Sequence, residues 1–243
     1  MTVLRVGIIG CGEVAQVLHI PNFNLLATKF RITYLCDISH QCLQHCAQMV
    51  RGGCGIPPCT TTDPEELCAS SEVDVVLICS ADEYHVSHGL LALQHDKYCL
   101  IDKPLALCFR DIAQLIEAET NSKARVFVGT MRRFAPAFLE AVKEVGSMDK
   151  IMYARVRAII GPNSNFINQS CTYPVGVPSD ISAADQENRK KRHDDIVQCA
   201  LEKEFGVAMT DQSIRMLKIL GRYEAASVYY PRDPSLSNRH VSA

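Results

Sequence analysis

The sequence predicts an α/β fold built on a parallel sheet, followed by an α+β region. Three observations in this 243-residue chain support it. Apolar runs with β-propensity alternate with helical patterns over residues 1–130, which is typical of a parallel sheet with helices on both faces. A glycine turn directly follows the first run, and the alternation stops after Pro136. The predicted strands are residues 3–9, 31–36, 73–79, 97–101 and 125–129.

The turn after the first strand has the pattern of a dinucleotide site. In "VGIIGCGEVA" a strand, the motif G-x-G-x-x-A and a helix follow one another. Gly10 permits the tight turn, Gly12 lets the backbone approach a pyrophosphate, and Ala15 allows close packing of helix on strand. The N–H groups at the helix start then bind phosphate. The predicted cofactor contacts also include Glu13 and Val14.

Asp37 supports this interpretation from the end of the second strand. Its carboxylate can accept hydrogen bonds from ribose hydroxyls and would repel a 2′-phosphate, so NAD is the expected cofactor, with NADP as the alternative. The structural alternative is that Asp37 caps the helix that begins near Ser39. A clearer cap is predicted in "TDPEEL", where Asp63 precedes Pro64 at the first helical position.

The alternation of strand and helix patterns changes after Pro136. The later segments mix helix and strand patterns, which indicates an α+β arrangement. The charged run "QENRKKRHDD" is most simply a solvated helix face, and Gly221 is a predicted helix C-cap. The predicted segments are a helix at 135–146, a β-like run at 150–160, a loop at 161–180, a helix at 183–204, a helix at 211–221 and a strand at 225–231.

The net charge of the chain favours a small molecule as the ligand over nucleic acid or a membrane surface. The net charge of −2 and pI of about 6.4 give no basic excess for nucleic acid or an anionic membrane. No run approaches the ~18 apolar residues of a membrane helix, and the N-terminus is interpreted as a first strand, so we expect a cytoplasmic protein.

Twelve cysteines lie mostly within apolar runs. Reduced, mostly buried thiols are expected, because disulfide frameworks are typical of small secreted proteins. The nearest approach to a metal pattern is Cys42, Cys46, Cys54 and Cys59. Their spacings lack the close C-x-x-C pairs of common zinc sites, so no metal site is predicted.

Four segments resemble the glucose-fructose oxidoreductase and inositol dehydrogenase (Gfo/Idh/MocA) family: "VGIIGCGEVAQVLHIP", "DVVLICSADEYHVSHGLLAL", "DKPLAL" and "VGTMRRFAPAF". The resemblance covers about residues 3–160 and extends to the helix ending at Gly221. It implies a dinucleotide-binding Rossmann domain over 1–130 and a shortened α+β domain over 131–243, with a mostly antiparallel sheet that often mediates oligomerisation. It also implies an NAD(P)-dependent oxidoreductase acting on a sugar, polyol or cyclic alcohol or ketone, and a homo-oligomer.

The resemblance assigns roles to individual residues. "DKP" resembles the family's E-K-P motif, with Asp102 in place of glutamate and Lys103 at the lysine that approaches substrate and nicotinamide. Hydride transfer from an alcohol requires the hydroxyl proton to be held or removed, which is the chemical reason for such a lysine. The alternative is a solvated lysine at a strand end, against which Pro104 argues by rigidifying the turn.

Further cofactor contacts carry structural alternatives. Ser80, Asp82 and His85 fall where the family has a loop passing the nicotinamide ribose. His85 could instead cap or pack the start of a helix. Arg132 and Arg133 match a basic pair that could hold the cofactor or form an ion pair at the domain junction, and Arg133 is included in the predicted cofactor site.

The chain departs from the family at the proton-transfer group. Family members usually place an aspartate and, four residues later, a histidine before the helix that ends in L-G. Here Val207 and Asp211 stand at those positions, so the usual dyad is absent. Asp211 is the candidate catalytic partner of Lys103, with Tyr173 as another, or else Asp211 only caps its helix.

Three functional hypotheses therefore stay open. The first is the NAD(P)-dependent oxidoreductase. The second is a cofactor-binding protein with altered or lost redox activity, such as a lyase, an isomerase or a partner subunit. The third is a truncated product whose open sheet associates with another chain.

Overall fold

The computed structural model of the chain contains a six-stranded parallel sheet. The structure describes residues 2–51, 56–153, 155, 163–172, 174–219 and 221. The strands are β1 (Leu4–Ile9), β2 (Phe30–Cys36), β3 (Cys59–Thr61), β4 (Val75–Ile78), β5 (Tyr98–Ile101) and β6 (Val126–Val128). The five predicted strands are confirmed to within two residues at each end, and β3 is additional.

The strand order is β3-β2-β1-β4-β5-β6, and all neighbouring strands pair in parallel. The chain moves outward from β1 through β2 to β3, then crosses back to place β4 on the other side of β1. The order therefore reverses between β1 and β4, and open α/β sheets bind ligands at such a crossover.

Helices connect these strands. Asp63 accepts a hydrogen bond from the Glu65 N–H and Pro64 takes the first helical position, as predicted. The segment after the glycine turn begins as a π-helix, Ala15–His19, and continues as α1 (Ile20–Leu25). The other α-helices of the described residues are α2 (His40–Met49), α3 (Pro64–Ala69), α4 (His85–Gln94), α5 (Phe109–Asn121), α6 (Pro136–Gly146), α7 (Asn163–Ser170), α8 (Ala183–Gln198) and α9 (Asp211–Ile219). Helix α8 continues as a second π-helix, Cys199–Glu204.

Two apolar clusters cover the two faces of the sheet. On β4, Val76 and Ile78 belong to one cluster and Leu77 to the other. Successive side chains of a strand point to opposite faces, so these clusters lie on opposite sides of the sheet. All three side chains are almost completely buried. A sheet buried on both faces explains why its strands are continuous apolar runs.

The described residues after 130 form helices and no strand. Helices α6, α8 and α9 lie where helices are predicted. The prediction of a loop throughout 161–180 is wrong, because α7 occupies part of it; the polar sequence "NSNFINQS" has little helix propensity to reveal it. Residues 151–153 are not in a strand, and most of the run at 150–160 and all of 225–231 lie outside the described residues. The expected antiparallel sheet is therefore not confirmed.

Helix α8 packs against the sheet-bearing half of the chain. Arg110 of α5 donates to Asp195 of α8 at 2.8 Å, and the buried Glu83 accepts from Arg189 at 3.1 Å. An apolar cluster that includes Cys108 and Ile196 lies beside these ion pairs. The charged run is thus only partly solvated. No helix within the described ranges combines the length and the apolar character needed to cross a bilayer.

The cysteines contribute to the core. Eleven lie within the described residues, all as free thiols, and eight of these are buried. Burial raises the pKa of Cys36, Cys68 and Cys99 to about 12. These thiols are therefore protonated at neutral pH and pack as small apolar side chains.

Candidate functional site

The candidate site lies at the carboxyl-terminal edge of the sheet. In the strand register, Ile9 is level with Ile78, and Ile78 with Ile101. Because neighbouring strands end level with each other, the residues that follow them line one edge. These residues are Gly10, Asp37, Ser80, Asp102 and Gly129.

The two glycines of the turn differ in what surrounds them. Gly10 has φ = +101°, and a Cβ there would lie 2.5 Å from the backbone nitrogen of Ser80. Only glycine fits this position, because both the conformation and the contact with the segment after β4 exclude a side chain. At Gly12, in contrast, a Cβ would meet no atom within 4 Å. The turn is therefore tight on its protein side and open on the side where a pyrophosphate is predicted.

Asp37 ties the glycine turn to the end of β2. Its Oδ2 accepts the Cys11 N–H at 2.7 Å, and its Oδ1 accepts the Ser39 N–H at 2.8 Å. Burial raises the pKa of Asp37 more than these hydrogen bonds lower it. The cap of α2 is Ser39, whose side chain accepts from Cys42, so Asp37 is not the cap. The partly buried carboxylate retains lone pairs for further donors, such as ribose hydroxyls.

His85 lies between two loops at this edge. It is the first residue of α4 and is buried, with Nδ1 2.7 Å from the Pro104 carbonyl oxygen and Nε2 3.0 Å from the Ser80 carbonyl oxygen. Both ring nitrogens therefore face the protein's own backbone. This geometry matches the packing alternative and couples the Ser80 loop to the segment that carries Lys103.

His88 is a neighbour that the sequence analysis missed. Its Nδ1 lies 3.0 Å from the Ser80 hydroxyl, and its ring stacks on Tyr84. Burial, with smaller contributions from the charges of His85 and Arg192, lowers the pKa of His88 to about 4. The ring is therefore neutral at physiological pH and hydrogen-bonds to Ser80.

We expect acid to destabilise the protein partly through His88. The unfolded chain binds a proton at His88 below about pH 6.5, whereas the folded chain binds it only near pH 4, so stability is lost as the pH falls through this window. Urea unfolding of wild type and His88→Gln at pH 7 and pH 5 should show the wild type losing about 1–2 kcal/mol more than the variant. Equal losses would contradict the neutral, partly buried ring.

Asp102 and Lys103 follow β5. Asp102 Oδ1 accepts the Lys103 N–H at 2.8 Å, and its Oδ2 lies 3.7 Å from His19 Nε2. Burial alone would raise the pKa of Asp102, but His19 and the Lys103 N–H hold it below its usual range. His19 lies in the quoted "VLHIP", yet nothing in the sequence alone connects it to Asp102. The partly buried Lys103 side chain has no hydrogen bond or ion pair with the residues that the structure describes.

Other predicted site residues are exposed. Glu13 and Val14 are helical residues directly before the π-helix, and Arg132 and Arg133 lie in the 3₁₀ turn Met131–Phe134. Their exposure leaves them accessible to a ligand, but the geometry does not by itself assign them a role.

Asp211 is exposed at the first position of α9. The helix cap is Thr210, whose Oγ1 accepts the Ser213 N–H at 3.1 Å, so Asp211 is not the cap. Within the described part of the chain, no hydrogen bond or ion pair joins Asp211 to Lys103. Tyr173, the other candidate partner of Lys103, lies outside the described residues.

A cysteine and carboxylate cluster lies at the start of α5. The ligand-type atoms of Cys108, Cys199 and Glu204 lie within 4.8 Å of one another. Both Glu204 oxygens accept backbone N–H groups, those of Phe109 and Arg110, at 2.8 Å. The Glu204 carboxylate therefore caps the first backbone N–H groups of α5. Burial raises the pKa of Cys108 to about 12. Of the cysteines weighed as zinc ligands, Cys54 lies outside the described residues.

A cavity of about 260 Å³ lies between α4, α5 and α8. Its wall includes Arg110, which pairs with Asp111 and Asp195, so these charged groups are used within the protein. The open turn at Gly12 is thus the better candidate for a cofactor site.

Comparison with known proteins identifies the family. The family described as "Oxidoreductase family, NAD-binding Rossmann fold" (GFO_IDH_MocA) matches residues 4–130. Inositol 2-dehydrogenase from Paracoccus denitrificans is 30% identical over 158 residues, which cover 63% of this chain and 46% of that protein. Inositol 2-dehydrogenase 3 from Saccharopolyspora erythraea is 35% identical over 141 residues, which cover 58% of this chain and 39% of that protein. The chain spans less than half the length of these relatives.

Solved structures agree on the fold. An oxidoreductase from Thermotoga maritima superimposes with a TM-score of 0.55 at 27% identity, over 60% of this chain and 44% of that one. A myo-inositol dehydrogenase from Lactobacillus casei, solved with NAD(H) and myo-inositol, superimposes with a TM-score of 0.54 at 22% identity. The match covers 60% of this chain and 42% of that one; this likeness shows the fold alone. The family match extends over more than half of the chain and includes the glycine turn and the six parallel strands. The chain therefore belongs to the Gfo/Idh/MocA family of oxidoreductases with an NAD-binding Rossmann fold.

Proposed function

We propose that the protein is an NAD-dependent oxidoreductase acting on a sugar, polyol or cyclic alcohol or ketone. The observation that carries this proposal is the open space at Gly12, beside a Gly10 turn that the segment after β4 holds in place. A pyrophosphate fits such a turn because no side chain blocks its approach to the backbone. The inositol 2-dehydrogenases among the relatives support the substrate class.

Each residue at the carboxyl-terminal edge of the sheet would have a separate role in this reaction. Gly12 and the N–H groups after it would hold the pyrophosphate, and Asp37 would accept the ribose hydroxyls. A bound nicotinamide ring supplies a hydride acceptor or donor. The Lys103 amine is partly buried at the end of β5 and has no ion pair among the described residues. It would hold the substrate hydroxyl and help to move its proton. Asp102 anchors the Lys103 backbone.

NADH is expected to bind more tightly than NADPH, and Asp37→Ala should reduce this preference. The variant loses a charged acceptor for ribose hydroxyls, so NADH binding should weaken about tenfold or more. Titration can use the fluorescence of NADH itself, because the chain contains no tryptophan. Asp194→Ala, which removes an exposed carboxylate of α8, is the control. Tighter binding of NADPH than of NADH by the wild type would contradict the assignment.

The remaining parts of the proposal concern domains and partners. We propose that residues 1–130 bind the dinucleotide and that residues 131–243 form a shortened substrate and oligomerisation domain in a cytoplasmic homo-oligomer. Helix α6 supports self-association, because apolar side chains at helical spacing are about half exposed along it. They are Phe138, Leu139, Val142 and Val145. Such a stripe is typical of an interface.

A second function, cofactor binding without the usual redox chemistry, is favoured by one observation. Asp211 takes the place of the family's histidine, and it is exposed, with no contact to Lys103 among the described residues. The proton-transfer dyad that the family uses therefore has no counterpart at this position.

A further inference from the structure

The segment of residues 174–182, which precedes α8, contacts the dinucleotide edge of the sheet at two points. Near its start, the Val175 N–H donates to Oε1 of Gln16, in the π-helix after the glycine turn, at 2.7 Å. Further along, Asp180 lies at the start of α2, where Oδ1 accepts the Ser39 hydroxyl at 2.7 Å and Oδ2 accepts the Gln41 N–H at 3.0 Å. The segment thus extends from the proposed pyrophosphate end of the site to its ribose end.

Asp180 places a negative charge at a position suited to an anion. The N-terminus of a helix offers unpaired N–H groups and a partial positive charge. The hydrogen bond from Ser39, followed by those from the backbone at Gln41 and His40, holds the pKa of Asp180 below its usual range. Asp180 is therefore ionised at neutral pH.

Asp180 also lies close to the proposed ribose ligand. Ser39 joins the two carboxylates, because its N–H donates to Asp37 and its hydroxyl donates to Asp180. After burial, the charge of Asp180 is the other influence that raises the pKa of Asp37. A ribose hydroxyl bound to Asp37 would therefore lie within the field of Asp180.

We propose that Asp180 is a specificity-determining residue that excludes dinucleotides carrying a 2′-phosphate. This inference rests on the proposed function, because it requires a ribose held at Asp37. A phosphate on that ribose would need the donors at the start of α2, and Asp180 already engages the Ser39 hydroxyl and the Gln41 N–H. Its charge would also repel the phosphate. Two carboxylates from distant parts of the chain thus select NAD over NADP.

The test is a titration of the full chain with NADH and NADPH, comparing wild type with Asp180→Asn and Asp180→Ala. Both variants should bind NADPH about tenfold more tightly, as expected when one like charge near a protein surface is removed. Alanine should have at least the effect of asparagine, because it also frees Ser39 and Gln41. NADH affinity should stay within about twofold of wild type. Asp194→Asn, which removes the same charge at an exposed position of α8, should alter neither affinity.

The outcomes separate this inference from the proposed function. Unchanged NADPH affinity in both Asp180 variants, with NADH binding intact, would refute the role of Asp180 and leave the proposed function standing. A parallel loss of NADH affinity would also refute it, because Asp180 would then support the site as a whole. If the wild type bound no NADH, the proposed function would fail and the inference with it.

Discussion

Gly12→Val is expected to lower the affinity for NADH by about 100-fold or more while leaving the fold intact. Apart from the residues adjacent in the chain, no atom of the protein lies within 4 Å of the position that a Cβ would take, so the position has open space in the free protein. It would instead fill the space that the pyrophosphate needs. Cofactor fluorescence reports the affinity, and circular dichroism with thermal melting reports the fold.

Two other glycines serve as controls for this result. Gly146, at the end of α6, also has open space around it, so Gly146→Val should leave NADH binding unchanged. Gly10→Ala should instead destabilise the protein, because its Cβ would press on the backbone of Cys79 and Ser80 at 2.5–2.6 Å. Wild-type NADH affinity in Gly12→Val would place the cofactor elsewhere.

Lys103→Ala is expected to lower kcat by about 10²- to 10⁴-fold, the usual contribution of a group that handles a proton. Asp211→Asn should stay within about twofold of wild type, because surface substitutions away from special features have small effects. Asp211 is exposed, and the helix cap is Thr210. NADH formation from a panel of polyols at saturating NAD measures both variants, and the NADH affinity of each is determined separately.

The contrast between these two variants decides between the functional hypotheses. A large loss in Asp211→Asn would show that Asp211 works with Lys103 despite the lack of contact. Wild-type turnover in Lys103→Ala would refute the redox role of the lysine, and cofactor binding without redox chemistry would become the better account.

The fold of the first 130 residues could be predicted because its strands are apolar runs buried on both faces. β3 escaped prediction since Cys59–Thr61 is short and largely exposed at the sheet margin. α7 escaped since its polar residues favour turns as much as helix. Local pattern therefore revealed the elements with a regular spacing of apolar residues and missed those that are short or polar.

The candidate site could be predicted where its residues are close in sequence. Gly10 and Gly12 carry a local conformational requirement, and Asp37 follows at a familiar distance. The contact of Ser39 with Asp180 joins residues 141 positions apart, and no pattern in either segment encodes it. The pairing of His19 with Asp102 depends likewise on the return of the chain to the sheet edge.

The buried thiols of the sheet have a consequence for the chemical durability of the protein. Alkylating agents and peroxides react with thiolates, and a pKa of about 12 leaves Cys36, Cys68 and Cys99 almost without thiolate at neutral pH. Reaction must therefore await an opening of the sheet that admits solvent. The rate of oxidative damage to this core is then governed by how often the native state opens. The rate at which the buried cysteines are modified therefore reports the frequency of that opening.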